Sequence, residues 1–213
     1  PSGRMHLGNL WSCLLAWLAA RSVGGGMVLR LEDLDPDRCR PEFCDQVMGD
    51  LDWLGLDWDG QPIYQSRRTE AYAAAFRALE DQGLVYPCFC TRAQRLAASA
   101  PHRSDGVVLY SGRCRHLTPA ERETLSAQRA PAWRVQVPEE TVSFRDKLQG
   151  DCAQNLAAEC GDFILRRSDG VYAYQLAVVV DDAFQGVTQV VRGSDLLDSA
   201  PRQLWLQSKL GLP

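Results

Sequence analysis

The first third of the chain alternates a helical spacing of apolar residues with short apolar runs. Trp11, Leu14, Leu15 and Leu18 recur at i, i+3, i+4 and i+7 within the apolar stretch 10–20, the spacing of a helix that buries one face. Gly24-Gly25-Gly26 ends that pattern. Residues 27–32 then form an apolar run that closes on Glu32-Asp33-Leu34-Asp35, which predicts a buried parallel strand with charge at its C-terminal end. Pro41 suits the first turn of a helix reaching about Trp53, because the N–H it lacks would have no partner within the helix. A loop follows at Gly55-Leu56-Asp57-Trp58-Asp59-Gly60, and residues 67–82 read as another helix, stopped by Gly83. Helix and strand in alternation are the rhythm of a doubly wound α/β domain, whose ligands sit beyond the carboxyl ends of its strands.

From Leu84 to about Cys160 the rhythm gives way to sequence rich in cysteine, arginine and turn residues, which reads as an insertion. The expected organisation is a first core half at 1–83, an inserted metal-binding and RNA-facing subdomain at 84–160, and a second core half at 161–213. In that last part, strands are expected at 163–166, at 171–180 after the Ser168-Asp169-Gly170 turn, and at 187–191 after Gly186. A final helix is expected at 199–210, with Pro201 in its first turn and Gly211 beyond its end.

With 46% hydrophobic and 23% charged residues, the composition is that of a folded globular chain and excludes disorder. A net charge of -4 excludes binding of a polyanion by bulk electrostatics, so any nucleic acid must meet a local basic patch. One candidate lies between Tyr86 and Arg134, where arginines 92, 95, 103, 113, 115, 122, 129 and 134 face only Asp105, Glu121 and Glu123. The apolar stretch 10–20 is too short to span a bilayer and has no basic segment before it, so a cytoplasmic protein without a membrane partner is expected. The eight cysteines are unevenly scattered, unlike a secreted disulfide framework.

Three of those cysteines have a metal-ligand spacing. Cys88-Phe89-Cys90 forms one jaw, and Cys114 with either Tyr110 or His116 closes a tetrahedron that suits zinc. A second chemical cluster is Pro1-Ser2-Gly3-Arg4-Met5-His6-Leu7-Gly8-Asn9, just where the first helix begins. Unpaired N–H groups and the helix dipole favour phosphate there, His6 can donate to a phosphate oxygen, and Gly8 leaves room for a planar ring. Glu32 could hold a substrate ammonium group. On the later strands, the Arg192 fork could bind a carboxylate bidentately, and the Tyr174 phenol could hydrogen-bond it. Asp181-Asp182 would follow a buried strand, as a turn cap or as paired functional carboxylates.

The opening nonapeptide resembles the His-Ile-Gly-His signature of class I aminoacyl-tRNA synthetases, with Asn9 where many members have a second His. Further stretches extend the likeness along the whole chain: Arg30-Leu31-Glu32-Asp33-Leu34-Asp35-Pro36, Trp58-Asp59-Gly60, Gln65-Ser66-Arg67, Tyr110 with Cys114, and Tyr174-Gln175-Leu176-Ala177-Val178-Val179-Val180-Asp181-Asp182 through Val191-Arg192-Gly193. The chain is similar to the glutamyl-tRNA synthetase superfamily, and within it to the branch that transfers glutamate to queuosine in tRNA(Asp). The resemblance implies an α/β fold with a Rossmann-like doubly wound parallel sheet, the class I synthetase catalytic core, and an inserted zinc-bearing subdomain. It implies a ligase in which His6, Gly8 and Asn9 serve ATP binding and catalysis, with Mg2+ accompanying the ATP. L-glutamate would be held by Glu32, Tyr174 and Arg192, and one structural Zn2+ by Cys88, Cys90, Tyr110 and Cys114. The acceptor would be the queuosine-bearing anticodon loop of tRNA(Asp).

The same resemblance puts a glutamate-contacting Arg and Ser ahead of Pro1 and a Lys-x-Ser-Lys type ATP loop after Pro213, so a piece of a longer protein is expected. Two other readings fit the chain: the catalytic fragment of an ordinary glutamyl-tRNA synthetase that charges the tRNA 3' end, and a noncatalytic zinc-bearing RNA-binding paralogue.

Overall fold

His6 starts the first helix. Its backbone is extended, its Nδ1 accepts from the Gly8 N–H at 3.1 Å, and Asn9 Oδ1 accepts from the His6 N–H at 3.1 Å. This reciprocal capping box fixes the entry to α1 (Leu7–Arg21) by satisfying donors that the helix itself cannot. The structure, a computed structural model, describes residues 3–91 and 109–213.

These residues fall into two compact units. The first comprises Pro1–Ala71 with Asp181–Leu197. Within it, β1 (Arg30–Leu31), which follows α1 in the chain, pairs in parallel with β2 (Ile63–Tyr64), and α2 (Pro41–Trp53) connects the two. The pairing is extended by the Asp59 N–H donating to Met27 O at 2.6 Å and the Ile63 N–H to Leu29 O at 3.0 Å. The 27–32 run, expected as a buried parallel strand, does pair in parallel, but only two of its residues have strand pairing and only Leu31 is buried.

The second unit comprises Tyr72–Val180 with Asp198–Pro213. Helix α3 (Thr69–Asp81) enters it, preceded by a single 3-10 turn at Gln65–Arg67 rather than starting at 67 as expected, and Gly83 closes it at φ +71°. An antiparallel sheet follows, built from β3 (Val85–Cys88) paired with β4 (Ala132–Val135), which is reached through α4 (Pro119–Gln128). Strands β5 (Thr141–Asp146) and β6 (Gly150–Asn155) form a separate hairpin, and β7 (Phe163–Arg166) pairs with the far side of β4. Helices α5 (Tyr174–Gln185) and α6 (Ser199–Leu210) complete the chain. Leu79, Val135, Leu156, Leu165 and Leu206 are wholly enclosed, and Phe76 meets Trp133 edge to face at 5.8 Å. The α/β class holds. Among the described residues, parallel pairing is confined to β1 and β2, while the larger sheet is antiparallel.

Three expected elements differ. Residues 171–180, expected as a strand, mostly belong to α5. Leu176, Ala177, Val178 and Val179 are all buried, and a run enclosed on every side carries no period that separates helix from strand. Residues 187–191 have no strand pairing, and Val190 is exposed. The face of α1 expected to be buried is open: no α1 residue is buried, and Trp11 is 58% exposed. Helical spacing reports an apolar face, not what covers it. Among the described residues, no helix is long and apolar enough to cross a membrane.

Candidate functional site

In the first unit, the chemistry begins at the capped start of α1. Because His6 Nδ1 accepts a hydrogen bond, the neutral ring carries its proton on Nε2, leaving that nitrogen as a donor. Gly8 keeps the ring in place: a Cβ there would lie 3.1 Å from His6 Cε1 and 3.2 Å from Nδ1. The amide oxygen of Asn9 is engaged in the cap.

Just past β1, Glu32 is flanked by Arg30, whose guanidinium donates to Asp182 Oδ1 at 2.7 Å and Gln185 Oε1 at 3.0 Å and lies 3.6 Å from Glu32 Oε1. Partial burial raises the Glu32 pKa above the ordinary carboxylate value and nearby Asp182 adds to the rise, while Arg30 opposes it. A carboxylate with one loosely held cation partner is suited to receive an ammonium group. The neighbouring Asp33 is structural, accepting from the Ser66 N–H at 2.8 Å and its hydroxyl at 2.7 Å. Asp59 similarly ties Arg21 at 2.8 Å to the Met27 N–H at 2.8 Å, and its pKa is lowered by the Arg21 and Met27 hydrogen bonds.

Asp181 and Asp182 do not follow a strand; both lie in the last turns of α5. Asp181 is fully enclosed and accepts from Arg68 Nε at 2.6 Å and Gln65 Nε2 at 2.9 Å, and Asp182 holds Arg30. They are anchors that fasten the helix end to the β1 and 3-10 segments. Arg192, expected on a strand, is half-buried in the irregular segment between α5 and the 3-10 turn Ser194–Leu196. Tyr174, also expected on a strand, is the first residue of α5 and belongs to the second unit, whereas Glu32 and Arg192 belong to the first.

In the second unit, Cys88 ends β3, Cys90 lies two residues beyond, and Cys114 sits in the turn after Gly112, which needs its φ of +74°. Their three sulfurs lie within 4.8 Å of one another. Tyr110 Oη is 3.5 Å from Cys88 Sγ and 3.7 Å from Cys90 Sγ, and Cys90 and Cys114 Sγ are 3.5 Å apart. Around a tetrahedral zinc, sulfur-to-sulfur edges are about 3.8 Å and sulfur-to-oxygen edges about 3.5 Å, so this donor set fits that ion. His116 is exposed and is not part of the group, so the geometry favours Tyr110 as the fourth donor. Gly161, beside the Tyr110 backbone, adopts a φ of +66° that other residues rarely take.

The protonation pattern follows from crowding four acids together. Burial pushes the Cys90 thiol up to about 11 and, with the phenol hydrogen-bonded to the Cys114 and Cys88 side chains, holds Tyr110 well above the usual phenol value. Cys88 is pulled below the usual thiol value: burial opposes this, but hydrogen bonds from Tyr110, the Cys90 backbone and Arg134 outweigh it.

Behind the cysteines lies a polar network that spacing did not reveal. Buried Asp162 accepts from Tyr86 Oη at 2.5 Å and the Val137 N–H at 3.0 Å, and it pairs with Arg115 through both carboxylate oxygens. Buried Arg134 donates to the Asp162 carbonyl at 2.5 Å and to Cys88 Sγ at 3.3 Å. This changes the reading of the basic segment. Arg92, Arg95 and Arg103 lie outside the described residues, Arg115 and Arg134 point their charge inward, and Arg122 is half-buried with its Nε enclosed, leaving Arg113 and Arg129 as its exposed described members.

The sequence matches, over residues 1–213, the family described as tRNA synthetases class I (E and Q), catalytic domain. It is 49% identical to a glutamyl-Q tRNA(Asp) synthetase of Thiobacillus denitrificans, covering 100% of this chain and 68% of the relative. A protein of the same name from Nitratidesulfovibrio vulgaris is 52% identical, over 99% of this chain and 68% of its own length. Among solved structures, the chain is similar to a glutamate tRNA ligase from Elizabethkingia meningosepticum in complex with its amino acid, at a TM-score of 0.83 and 26% identity. That match covers all of this chain but only 46% of the solved one.

Proposed function

Because the chain belongs to the family of class I tRNA synthetase catalytic domains for glutamate and glutamine, we propose that it is the core of a ligase that activates L-glutamate with ATP and transfers it to queuosine in the anticodon loop of tRNA(Asp). The observation that carries this reading is the identity of 49–52% over essentially the whole chain to proteins named glutamyl-Q tRNA(Asp) synthetase. The reading keeps the Rossmann-like core at 1–83 and 161–213, the zinc-bearing insertion at 84–160, and a cytoplasmic location.

In the first step, the glutamate α-carboxylate attacks the α-phosphorus of ATP in line and pyrophosphate leaves. Such a transfer needs positioning and charge neutralisation more than covalent help. His6, donating through Nε2, and the first N–H groups of α1 would neutralise phosphate oxygens, with Mg2+ supplying further charge when bound. Glu32 would take the substrate ammonium, and Tyr174 and Arg192 its carboxylate side. Cys88, Cys90, Cys114 and Tyr110 would hold a zinc ion, which when bound cross-links β3 to the Tyr110–Cys114 segment. In the second step a queuosine hydroxyl takes the glutamyl group and AMP leaves.

The decisive test locates the product. After incubation with labelled glutamate, ATP and queuosine-bearing tRNA(Asp), the tRNA is cleaved and the label traced. Label on the anticodon fragment is expected. Label on the 3'-terminal adenosine would mean ordinary charging, and binding of tRNA without any glutamate-dependent exchange of pyrophosphate into ATP would mean a noncatalytic paralogue.

The role of His6 is separable from its role as a cap. An asparagine can accept from the Gly8 N–H but lacks the ring donor, so His6→Asn should melt like the wild type while pyrophosphate exchange falls about 100-fold. His6→Ala should lose the exchange and also about 1 kcal/mol of stability. Exchange at the wild-type rate in His6→Asn would remove His6 from the phosphate site.

A further inference from the structure

Arg134 is a permanent cation, 5% exposed, placed on the central strand β4. Burying such a charge is costly unless an anion meets it. The carboxylate of Asp162 is already matched by Arg115 and hydrogen-bonded by Tyr86 and the Val137 N–H; Arg134 reaches only the Asp162 backbone carbonyl. Among the described residues, no carboxylate oxygen lies within ion-pair distance of Arg134. What its guanidinium does meet is the cysteine cluster: Nε points its hydrogen at Cys88 Sγ, 3.3 Å away, and the group lies over the Tyr110 ring at 3.8 Å from the centroid. One planar cation thus touches two of the four donors at once, from the side of the sheet.

Three thiolates around a divalent cation leave the centre with net negative charge, larger still if the phenol ionises. That excess must be neutralised in a site where Cys88 and Cys114 are buried and Cys90 and Tyr110 partly so. We propose that Arg134 is the charge partner of this metal centre. It positions Cys88 through an N–H to sulfur bond and Tyr110 through its ring, and it favours the loaded, anionic state of the cluster over the empty one. The buried cation and the anionic centre each answer the other's desolvation, which explains why an arginine is buried on the central strand of this sheet. The proposal rests on the zinc reading above.

The test measures zinc affinity by competition with a chromophoric chelator. The wild type is titrated first: failure to bind zinc would overturn the zinc reading itself, and this proposal with it. Given binding, Arg134→Gln, which keeps a hydrogen-bond donor but not the charge, should bind about 10- to 100-fold more weakly, and Arg134→Lys should recover most of the loss. Arg115→Gln, in the same polar network but not touching sulfur, should bind like the wild type. Equal affinity of Arg134→Gln and wild type, or equal weakening in all three variants, would overturn the charge-partner role while leaving the zinc site standing. Wild-type protein loaded with NMR-active cadmium gives a readout independent of whether any variant folds. The Arg134 Nε–H should show scalar coupling to the metal through the sulfur, and its absence would overturn the proposed bond.

Discussion

Arg68→Met should lower the stability of the protein by about 3 kcal/mol, the lower end of the range for removing one member of a buried ion pair. Arg68 donates from Nε to Asp181 at 2.6 Å, and Asp181 is fully enclosed while the arginine side chain is largely so. Methionine matches the length of the arginine stem and keeps apolar contact with Phe184, over whose ring the guanidinium sits at 3.9 Å. The loss is therefore chiefly electrostatic. It stays at the lower end because Arg30 still acts on Asp181 from a greater distance. In a chain of this size about 3 kcal/mol corresponds to a fall of roughly 6–12 °C in Tm. The double variant Arg68→Met with Asp181→Leu should regain most of that, since replacing both charges removes the desolvation cost along with the attraction. If single and double variants melt together, the pair is not what holds this helix end. A functional effect should accompany the thermal one. Asp182, the next residue, holds the Arg30 that flanks Glu32, so loosening the end of α5 should also weaken glutamate binding.

Which parts of this molecule could be read from its residues follows from how local each signal is. The bounds of α2 and α6 emerge with Pro41 in the first turn of one and Gly211 past the end of the other, because caps and breakers act within a turn. The cysteine group was legible because thiolate spacing carries its chemistry with it. Helix α5 was not, since a buried β-branched run has no polar face to set its period. Nor were the partners of the motif residues. Of Arg30, Glu32 and Asp33, only Glu32 was singled out for chemistry, yet Arg30 and Asp33 fix its surroundings through Asp182 and Ser66, residues 152 and 33 positions away. Asp162 and Arg134 join β7 and β4 to the cysteine group in the same way, and nothing in their immediate neighbours announces it.

Stripping zinc from the protein, or replacing Cys88 and Cys90 together by serine, should open the segment around residues 109–117 without dissolving the sheet behind it. The cluster around Tyr86, Cys88 and Cys114 is small, with Cys90, Tyr110 and Leu117 packed against it, and its centre is the donor group rather than apolar side chains. A structural zinc contributes about 10 kcal/mol or more of binding free energy, comparable with the whole stability of an ordinary domain, so a segment of this size cannot offset its loss. The sheet differs. Val135 and Leu165 are completely enclosed, and Phe163 meets Trp205 edge to face at 6.5 Å, so β4 and β7 have an apolar core independent of the metal. Hydrogen exchange should therefore show protection lost at Cys114 and Arg115, whose N–H groups bond within the Tyr110–Arg115 turn, and kept at Val135 and Phe163. Metal analysis of the wild type should find about one zinc per chain, and the double serine variant should hold none. Tyr110→Phe should weaken zinc binding and His116→Ala should not, because the phenol lies within reach of the sulfurs and the exposed His116 is outside the group. A wild type that is metal-free yet fully protected from 109 to 117 would remove the structural role of zinc. Retained zinc in Tyr110→Phe with loss in His116→Ala would exchange the fourth ligand for the imidazole.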